Sequence, residues 1–359
     1  MKKINIYLTI KCLLLALLSY SGTCLAQSDR TLKEYVNNIT AHDSAKLSRK
    51  IIVIIDTTSH TRAFEPFGGN IDNGVKYAEA INLYKSVLGE DVNVYSMVIP
   101  TAVEYYCPDM AKKWTKEERY AIDKINENLS DSVKVINVYN TLANHVSEDI
   151  YSRTDHHWAP LGAFYAAEKF AEVADVPFKA LSEYEPRVVK DYVGTMYLFS
   201  KDMSVKNSPE EFVYYVPKNI DYKATYIKYR LGKKRNVIGE SAPEEDEFFV
   251  YYKDGSSGAY CTFMGGDTRT VTVKTGTKNG RKLLIMKDSF GNALPGYLFY
   301  SFEEIHVLDF RYFRTNVVSY AKEHGITDML FANNVLHATL ESTSDAYLHL
   351  AKTGKKPVR

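Results

Sequence analysis

The chain has 359 residues, with 45 Lys and Arg against 44 Asp and Glu and a formal net charge of +1. This near-neutral balance does not favour a nucleic-acid-binding protein, which requires a basic surface. The length fits one large domain or one domain with an insert.

Residues 1–26 have the pattern of a secretory signal, because lysines precede a mostly apolar run and small residues offer a cleavage point before Gln27. We therefore predict an exported protein. The apolar run is short for a membrane span and contains Lys11, which disfavours an uncleaved anchor. Cleavage would leave Cys107 and Cys261, which either form a disulfide or remain buried thiols.

The next part of the chain alternates predicted strands and helices. Residues 27–49 form a polar leader, and the continuous apolar run 51–55 is typical of a strand buried on both faces of a sheet. In chain order there follow a helix that ends at Gly89, a strand at 92–99, a helix at 115–128, a strand at 133–138 and a helix from Pro160 to about residue 174.

The same alternation resumes near the C-terminus. The predicted elements are a strand at 283–286, a helix from Ser289 to about residue 300, a strand at 304–308, a helix at 317–324 and a strand at 329–332. This order predicts an α/β domain with a mostly parallel sheet and helices on both faces.

A different pattern occupies the middle of the chain. Residues 178–275 lack helical periodicity and contain short runs typical of strands, separated by turn-rich or charged stretches. We predict an inserted, mainly antiparallel β segment there. The α/β domain would then be built from two parts, residues 50–177 and residues 276–359.

Two distant motifs carry residues suited to acyl transfer through a serine ester. Serine is a poor nucleophile until a base removes its proton, and a carboxylate orients the histidine that does so. In an extended segment Asp155 and His157 point to the same side, which selects His157 over His156 as the base for Ser289. The two motifs are Thr154-Asp155-His156-His157-Trp158 and Lys287-Asp288-Ser289-Phe290-Gly291-Asn292.

Ser289 lies where a predicted buried strand turns into a predicted helix. Ligands of open parallel sheets bind beyond the carboxyl ends of the strands, and backbone N–H groups that open a helix can hold an oxyanion. We interpret Asp288 as a residue that orients the turn or caps the helix, not as the acid of the triad.

Simpler interpretations of both motifs exist. An Asp-Ser pair after a strand is often only a helix cap, and an Asp-x-His pair is often structural or metal-binding. Their joint presence in an exported α/β chain favours catalysis. Two adjacent histidines rarely point at one ion, and we find no distant carboxylate cluster, so we predict neither a metal nor another cofactor.

Together the two motifs resemble the DHHW protein family, which is common in Gram-positive and Bacteroides-type bacteria, and the resemblance covers roughly residues 50–345. That family is similar to the periplasmic alginate O-acetylation proteins, whose catalytic domains look like SGNH hydrolases. The resemblance implies an SGNH hydrolase-like three-layer sandwich with Ser289 as nucleophile, His157 as base and Asp155 as the orienting acid.

This sequence departs from the ordinary SGNH hydrolase pattern, in which Gly-Asp-Ser comes first and Asp-x-x-His last. Here Asp-x-His precedes the serine, so the triad order is permuted, and Lys287 stands in place of the glycine. The oxyanion donors therefore remain open, and each candidate is also interpretable as a solvated loop residue or a core residue. The candidates for oxyanion or substrate binding are Asn333, Asn334, Arg311, Gly69, Asn70 and Trp158.

We therefore predict an exported serine-dependent enzyme that transfers or hydrolyses O-acetyl groups of a cell-envelope or secreted polysaccharide. It would work in the periplasm, at the surface or outside a bacterium. Its partner would be a polysaccharide or acetylated glycan, and a membrane partner that supplies acetyl groups is left open. The alternatives are a non-catalytic glycan-binding or envelope-assembly protein on the same fold, and a metal-dependent phosphoesterase that uses residues 155–157.

Overall fold

The structure is a computed structural model that describes residues 30–55 and 61–353. The predicted secretory signal, residues 1–26, lies outside the described residues. None of the helices described has both the length and the apolar character of a membrane span.

The strands and helices of the described residues alternate along much of the chain. The strands are β1 (Ala45–Ser48), β2 (Ile51–Ile54), β3 (Arg62–Phe64), β4 (Asn93–Ile99), β5 (Val133–Val135), β6 (Tyr184–Tyr192), β7 (Glu210–Pro217), β8 (Tyr222–Leu231), β9 (Val237–Glu240), β10 (Glu244–Asp246), β11 (Arg269–Thr275), β12 (Lys282–Lys287), β13 (Glu304–Asp309) and β14 (Asp328–Asn334). The helices are α1 (Ile71–Leu88), α2 (Ala102–Tyr106), α3 (Glu118–Asn128), α4 (Val138–Ala143), α5 (Pro160–Ala174), α6 (Thr195–Ser200), α7 (Met203–Lys206), α8 (Val317–Glu323), α9 (Val335–Ala338) and α10 (Glu341–Lys352).

Five neighbouring strands of the central sheet run parallel, in the order β13-β12-β14-β4-β5. Every residue of β14 and nearly every residue of β12 is buried. Burial of this kind is expected when helices cover both faces of a parallel sheet. The predicted mixed α/β fold with a large, mostly parallel sheet is thus confirmed.

Helices cover this sheet from both sides. Phe331 of β14 pairs with Ser96 of β4, so its side chain and that of Tyr95 point to opposite faces of the sheet. Tyr84 of α1 packs on Phe331 with ring centroids 5.1 Å apart. On the other face, Phe170 of α5 packs on Tyr95, also at 5.1 Å. The central region therefore has three layers.

Residues 178–275 extend the central sheet at one edge. β11 and β8 continue it beyond β13 with antiparallel pairing, and β9 and β10 each pair with β8. β6 and β7 form a separate antiparallel pair. Loops between these strands reach the candidate site described below.

The apolar run at residues 51–55 is not part of the parallel sheet, which corrects the sequence interpretation. It forms β2, the middle strand of a three-stranded antiparallel sheet with β1 and β3. Alternate side chains of β2 face the main core and a smaller cluster that includes Met196 and Val205. A continuous apolar run indicates burial on both faces, and here two different clusters provide it.

The predicted polar leader, residues 27–49, is attached to the domain where it is described. It contains β1. The guanidinium of Arg30 donates hydrogen bonds of 2.7–3.1 Å to four main-chain carbonyls. These carbonyls, which belong to residues 126–133, lie at the end of α3, in the loop that follows it and at the start of β5.

The segment after Ser289 does not form a single helix to residue 300, which corrects a second expectation. Two short 3-10 helices, Ser289–Ala293 and Pro295–Leu298, take its place. Proline has no N–H to donate, and its ring obstructs the preceding turn of a regular helix. Stabilisation of charge near Ser289 therefore depends on individual N–H groups and not on a long helix dipole.

Cys107 and Cys261 are free thiols, which answers the question that the sequence left open. Burial raises the pKa of the Cys107 thiol to about 11. Burial also raises the pKa of the Cys261 thiol. Because the thiolate is the reactive form, neither thiol is a good nucleophile at neutral pH.

A buried ion pair at the start of β14 generates a prediction about stability. Asp328 is fully buried and accepts hydrogen bonds of 2.7 and 2.6 Å from the guanidinium of Arg281 and one of 3.0 Å from Tyr95. We expect Asp328→Ala to lower the free energy of unfolding by about 3 kcal/mol, because Arg281 and Tyr95 lose their acceptor. Urea denaturation of the folded protein measures the loss.

The matched control is Lys76→Ala, which removes a solvent-exposed ion pair with Glu341. Exposed pairs contribute little to stability, so the urea midpoint of this variant should stay close to that of the wild type. Equal effects of the two substitutions would contradict the importance of the buried pair.

Candidate active site

The structure brings the two motifs together at the carboxyl end of the parallel strands. Ser289 follows β12 after one residue, and the segment 154–158 precedes α5. The Nε2 atom of His157 lies 2.8 Å from the Oγ atom of Ser289. On the other side of the ring, Nδ1 lies 2.6 Å from Oδ1 of Asp155. The three side chains form one continuous chain of hydrogen bonds.

Asp155 is oriented by contacts to both of its oxygens. Oδ1 also accepts a hydrogen bond from the main-chain N–H of His157, and Oδ2 accepts hydrogen bonds of 2.8 Å from the N–H and the hydroxyl of Thr195. Burial alone would raise the pKa of Asp155, but His157 and these hydrogen bonds outweigh burial and hold that pKa below its usual range. The carboxylate is therefore charged and fixed in position.

Residues of the inserted segment hold the Asp155 segment in place. The carboxylate of Glu210 accepts hydrogen bonds from the hydroxyls of Ser152 and Thr154 and from the N–H groups of Arg153 and Thr154. All these distances are between 2.5 and 2.9 Å. Sequence reasoning missed Glu210 because nothing in β7 links it to the motif.

Gly194 lies against Asp155. Its N–H donates a 3.1 Å hydrogen bond to the hydroxyl of Thr154. A Cβ atom at position 194 would lie 2.4 Å from the Cβ of Asp155 and 2.5 Å from its Oδ2. Only glycine allows this close approach, so Gly194 shapes the site and is not merely a turn residue.

Tyr260 supports the imidazole of His157 from its flat side. The two rings are stacked with centroids 3.8 Å apart and an interplanar angle of 6°. The Tyr260 hydroxyl contacts the carbonyl oxygens of Ser289 and Phe290, each at 3.0 Å. One side chain of the insert therefore contacts both the base and the loop that carries the serine.

Trp158 does not line the pocket, which corrects its assignment as a substrate-binding candidate. The side chain is fully buried. Its indole N–H donates a 3.0 Å hydrogen bond to the carbonyl of Phe290. Trp158 therefore packs beneath the serine loop, and its ring is not accessible to a sugar.

His156 lines the pocket with Ser289 but bonds to a different residue. Its Nδ1 lies 2.6 Å from the hydroxyl of Thr195, which in turn donates to Asp155. Burial is the largest of the effects that lower the pKa of His156 to about 4, so this ring is neutral at pH 7. His156 therefore connects to Asp155 through Thr195, at the end of the hydrogen-bond chain that is opposite to Ser289.

The ligand atoms of Asp155, His156 and His157 lie within 4.8 Å of one another, a distance at which residues can hold a metal ion. Here, however, both oxygens of Asp155 accept hydrogen bonds from His157 and Thr195, and Nε2 of His157 contacts Ser289. A metal ion would have to displace these bonds. The donor set therefore fits a hydrogen-bond chain better than a metal site.

A compact ionic network lies beneath the serine loop. Lys287, which is almost fully buried, contacts Asp309 at 2.9 Å and Asp267 at 3.2 Å. The guanidinium of Arg311 contacts the same two carboxylates at 2.6 and 3.0 Å. Two cations thus balance two anions. The carboxylates therefore add little net negative charge near Ser289, where an oxyanion would form.

Three of the proposed oxyanion candidates serve the fold instead. Asn333 is fully buried, and its Oδ1 accepts hydrogen bonds from the hydroxyls of Tyr77 and Tyr347. Asn70 caps α1, and Gly69 is packed against neighbouring side chains. None of the three lines the pocket at Ser289. The position of a residue in a loop after a strand does not distinguish a residue that caps a helix from one that contacts a ligand.

Arg311 and Asn334 do line that pocket, which has a volume of about 310 Å³. The main-chain N–H of Asn334 donates to the carboxylate of Asp288, and its side-chain oxygen caps α9. Two further residues of the wall, Glu65 and His337, were missed by sequence reasoning. No recognisable motif surrounds either of them.

Comparison with known proteins identifies the family. The model of the DHHW protein family matches residues 33–308. A solved DHHW family protein from Eubacterium siraeum is 40% identical, with a TM-score of 0.75, and the match covers 85% of this chain and 96% of that one. The chain belongs to the DHHW family, as the motifs predicted.

Two other solved structures are less similar, and the first of them shares the fold. Bacillus cereus PatB1, solved with a sulfonyl adduct, is 17% identical, with a TM-score of 0.62 and coverage of 86% of this chain and 99% of that one. The O-acetyltransferase domain of Pseudomonas putida AlgJ is 11% identical, with a TM-score of 0.45 and coverage of 83% and 98%. No curated protein has a matching sequence.

The contact between Gly194 and Asp155 predicts how Ser289 will react. We expect Gly194→Ala to slow the reaction of Ser289 with a fluorophosphonate probe by about 100-fold, because displacement of a positioning group by about 1 Å has effects of this size. Mass spectrometry of the labelled protein over time gives the rate. Gly68→Ala is the matched control, because a Cβ there meets no atom within 4 Å.

Unchanged labelling in Gly194→Ala would show that the position of Asp155 does not govern the reactivity of Ser289. A near-ultraviolet circular dichroism spectrum should accompany the rate, because a slow reaction is informative only for a folded variant.

Proposed function

We propose that this protein is an exported, serine-dependent acyl-transfer enzyme that acts on O-acetyl groups of a cell-envelope or secreted polysaccharide. The observation that carries the proposal is the continuous chain Asp155–His157–Ser289, with contacts of 2.6 and 2.8 Å, beside a pocket. An acid, an imidazole and a hydroxyl in this order are the requirements for nucleophilic catalysis by serine.

We interpret the fold as SGNH hydrolase-like with a permuted triad, because the acid and the base come from the segment before α5 and the serine follows β12 later in the chain. Three layers and a parallel sheet support this interpretation. The position of Lys287, where a glycine is usual, is explained by its ion pairs with Asp309 and Asp267.

The first half of the reaction forms an acyl-enzyme. Oγ of Ser289 attacks the ester carbonyl while Nε2 of His157 takes the hydroxyl proton. Asp155 stabilises the imidazolium that results. The main-chain N–H of Ser289, which has no hydrogen-bond partner among the described residues, would donate to the oxyanion. The carbon–oxygen bond of the ester then breaks, and His157 protonates the departing sugar oxygen.

The second half releases the acetyl group. A water molecule or the hydroxyl of another sugar gives its proton to His157 and attacks the acyl-enzyme carbonyl. Breakdown of this intermediate returns the proton to Oγ of Ser289 and yields acetate or a newly acetylated sugar. The same three residues serve both outcomes, so the acceptor alone separates an esterase from a transferase.

A glycan as partner and a location outside the cytoplasm are parts of the same proposal. They are supported by the secretory pattern of residues 1–26 and by the similarity of the DHHW family to the alginate O-acetylation proteins. A pocket of about 310 Å³ lies at the lower end of the range for small-molecule sites, which is about 300–1,000 Å³. This size accommodates an acetyl group with part of a sugar. A membrane protein that supplies the acetyl group would be a further partner.

The proposal predicts turnover of p-nitrophenyl acetate and of acetylated glycans that depends on Ser289. Ser289→Ala should reduce turnover to background, and Asp155→Asn should lower kcat by about 10⁴-fold, because the histidine then adopts the wrong tautomer. Release of p-nitrophenol and of acetate measures the two reactions. Ser182→Ala, at an exposed serine, is the control.

Equal turnover in the wild type and Ser289→Ala, above the uncatalysed rate, would refute the proposal. Binding of glycans by both proteins without any turnover would instead support a non-catalytic glycan-binding protein. Because PatB1 was solved with a sulfonyl adduct, a sulfonyl fluoride is a suitable second probe for covalent modification of Ser289.

A further inference from the structure

Two titratable side chains in the pocket wall have no role in the chain of hydrogen bonds from Asp155 to Ser289. Glu65 follows β3 directly, and His337 belongs to α9, which follows β14. Both line the pocket that contains Ser289. The charge of His337 lowers the pKa of Glu65, although burial outweighs this effect.

The carboxylate of Glu65 is available to a ligand in the pocket. The residue is half-buried, yet its carboxylate has neither a hydrogen bond nor an ion pair with any described residue. Burial is the main reason that its pKa is raised. A carboxylate accepts hydrogen bonds with both oxygens, so Glu65 can accept from a donor that a ligand brings into the pocket.

His337 presents a hydrogen-bond donor to the same space. Its Nδ1 lies 3.3 Å from Oδ2 of Asp288 and 3.2 Å from the side-chain amide of Asn334. Burial lowers the pKa of His337, but the neighbouring Asp288 outweighs burial and raises it above its usual value. When the ring is protonated, or when Nδ1 accepts from Asn334, Nε2 carries a hydrogen. This atom has no partner among the described residues, and the side chain is 28% exposed.

An acceptor and a donor in one pocket suit a pair of hydroxyl groups. Neighbouring hydroxyls of a pyranose can donate one hydrogen bond and accept another. A sugar with a carboxylate at the same position would be repelled by Glu65. The guanidinium of Arg311, the other cation of the pocket, is bound to Asp309 and Asp267, so its charge is largely balanced.

We propose that Glu65 and His337 bind the sugar that carries the acetyl group, with Glu65 accepting from one hydroxyl and His337 donating to an adjacent oxygen, and that this sugar is uncharged. This inference rests on the proposed function, because it assigns the substrate class of the same pocket.

The test compares a substrate with a sugar and one without. We expect Glu65→Gln and His337→Gln each to lower kcat/KM for an O-acetylated xylo-oligosaccharide about 10- to 100-fold, the effect of removing a hydrogen bond to a charged group. For p-nitrophenyl acetate, which carries no sugar, the fold-decrease in kcat/KM of the two variants should be at least ten times smaller. The loss should appear mainly in KM. Glu79→Gln, at an exposed position on α1, is the control.

A negatively charged substrate tests whether the carboxylate of Glu65 makes the site prefer an uncharged sugar. The wild type should use an O-acetylated oligouronate less well than the xylo-oligosaccharide, and Glu65→Gln should reduce this difference. Equal decreases in kcat/KM for the acetylated xylo-oligosaccharide and for p-nitrophenyl acetate, in both Glu65→Gln and His337→Gln, would overturn the inference. The two residues would then support only the reactivity of Ser289. A wild-type preference for the oligouronate would overturn it as well.

Binding without turnover separates this inference from the proposed function. Calorimetric titration with the xylo-oligosaccharide free of acetyl groups should show weaker binding to Glu65→Gln than to Ser289→Ala. This result would support the sugar-binding pair even if no ester were cleaved. Equal affinities of the two variants would refute the pair, whether or not Ser289 is catalytic.

Discussion

The hydrogen bond between Nε2 of His157 and Oγ of Ser289 is the interaction on which the candidate site depends. It joins residues 132 positions apart in the chain. The parallel sheet makes the contact possible, because the serine loop begins where β12 ends and the histidine segment passes over the same edge. Nucleophilic catalysis requires both motifs, because one supplies the serine and the other supplies the base.

The inserted segment appears in the sequence as a separate unit, but in the structure it supports the site. Thr195 binds the outer oxygen of Asp155, and Glu210 binds the backbone and hydroxyls of the preceding residues. Tyr260 stacks on His157 and contacts the serine loop. The insert thus fixes the geometry of residues that lie outside it, which agrees with the general need for a rigid support around catalytic groups.

The sequence predicted the parts of this arrangement that depend on local periodicity. The helix from Pro160 and the buried strand before Ser289 follow from rules of periodicity and helix ends. Asp155 and His157 are selected on the expectation of an extended segment, whereas residues 153–157 form bends. The sequence did not predict the supporting contacts. Thr195, Glu210 and Tyr260 act through distances set by the tertiary fold, and no local pattern encodes such distances.

Burial explains the errors as well. The run at 51–55 is apolar because two clusters enclose it, and Trp158 is aromatic because it packs beneath the serine loop. Many of the 28 tyrosines are buried as well, with hydroxyls bound to main-chain carbonyls, as in Tyr84 and Tyr297. These tyrosines serve as hydrogen-bonded parts of the core.

The most direct test of the account is nitrogen-15 NMR of the His157 ring at neutral pH, assigned with a His157→Gln variant. The account predicts that Nδ1 carries the proton and donates it to Asp155, while Nε2 accepts a hydrogen bond from Ser289. Ser289→Ala should therefore shift the Nε2 resonance and leave the Nδ1 proton in place. A proton on Nε2 in the wild type would contradict this hydrogen-bond chain. An Nε2 resonance that does not shift in Ser289→Ala would contradict it as well.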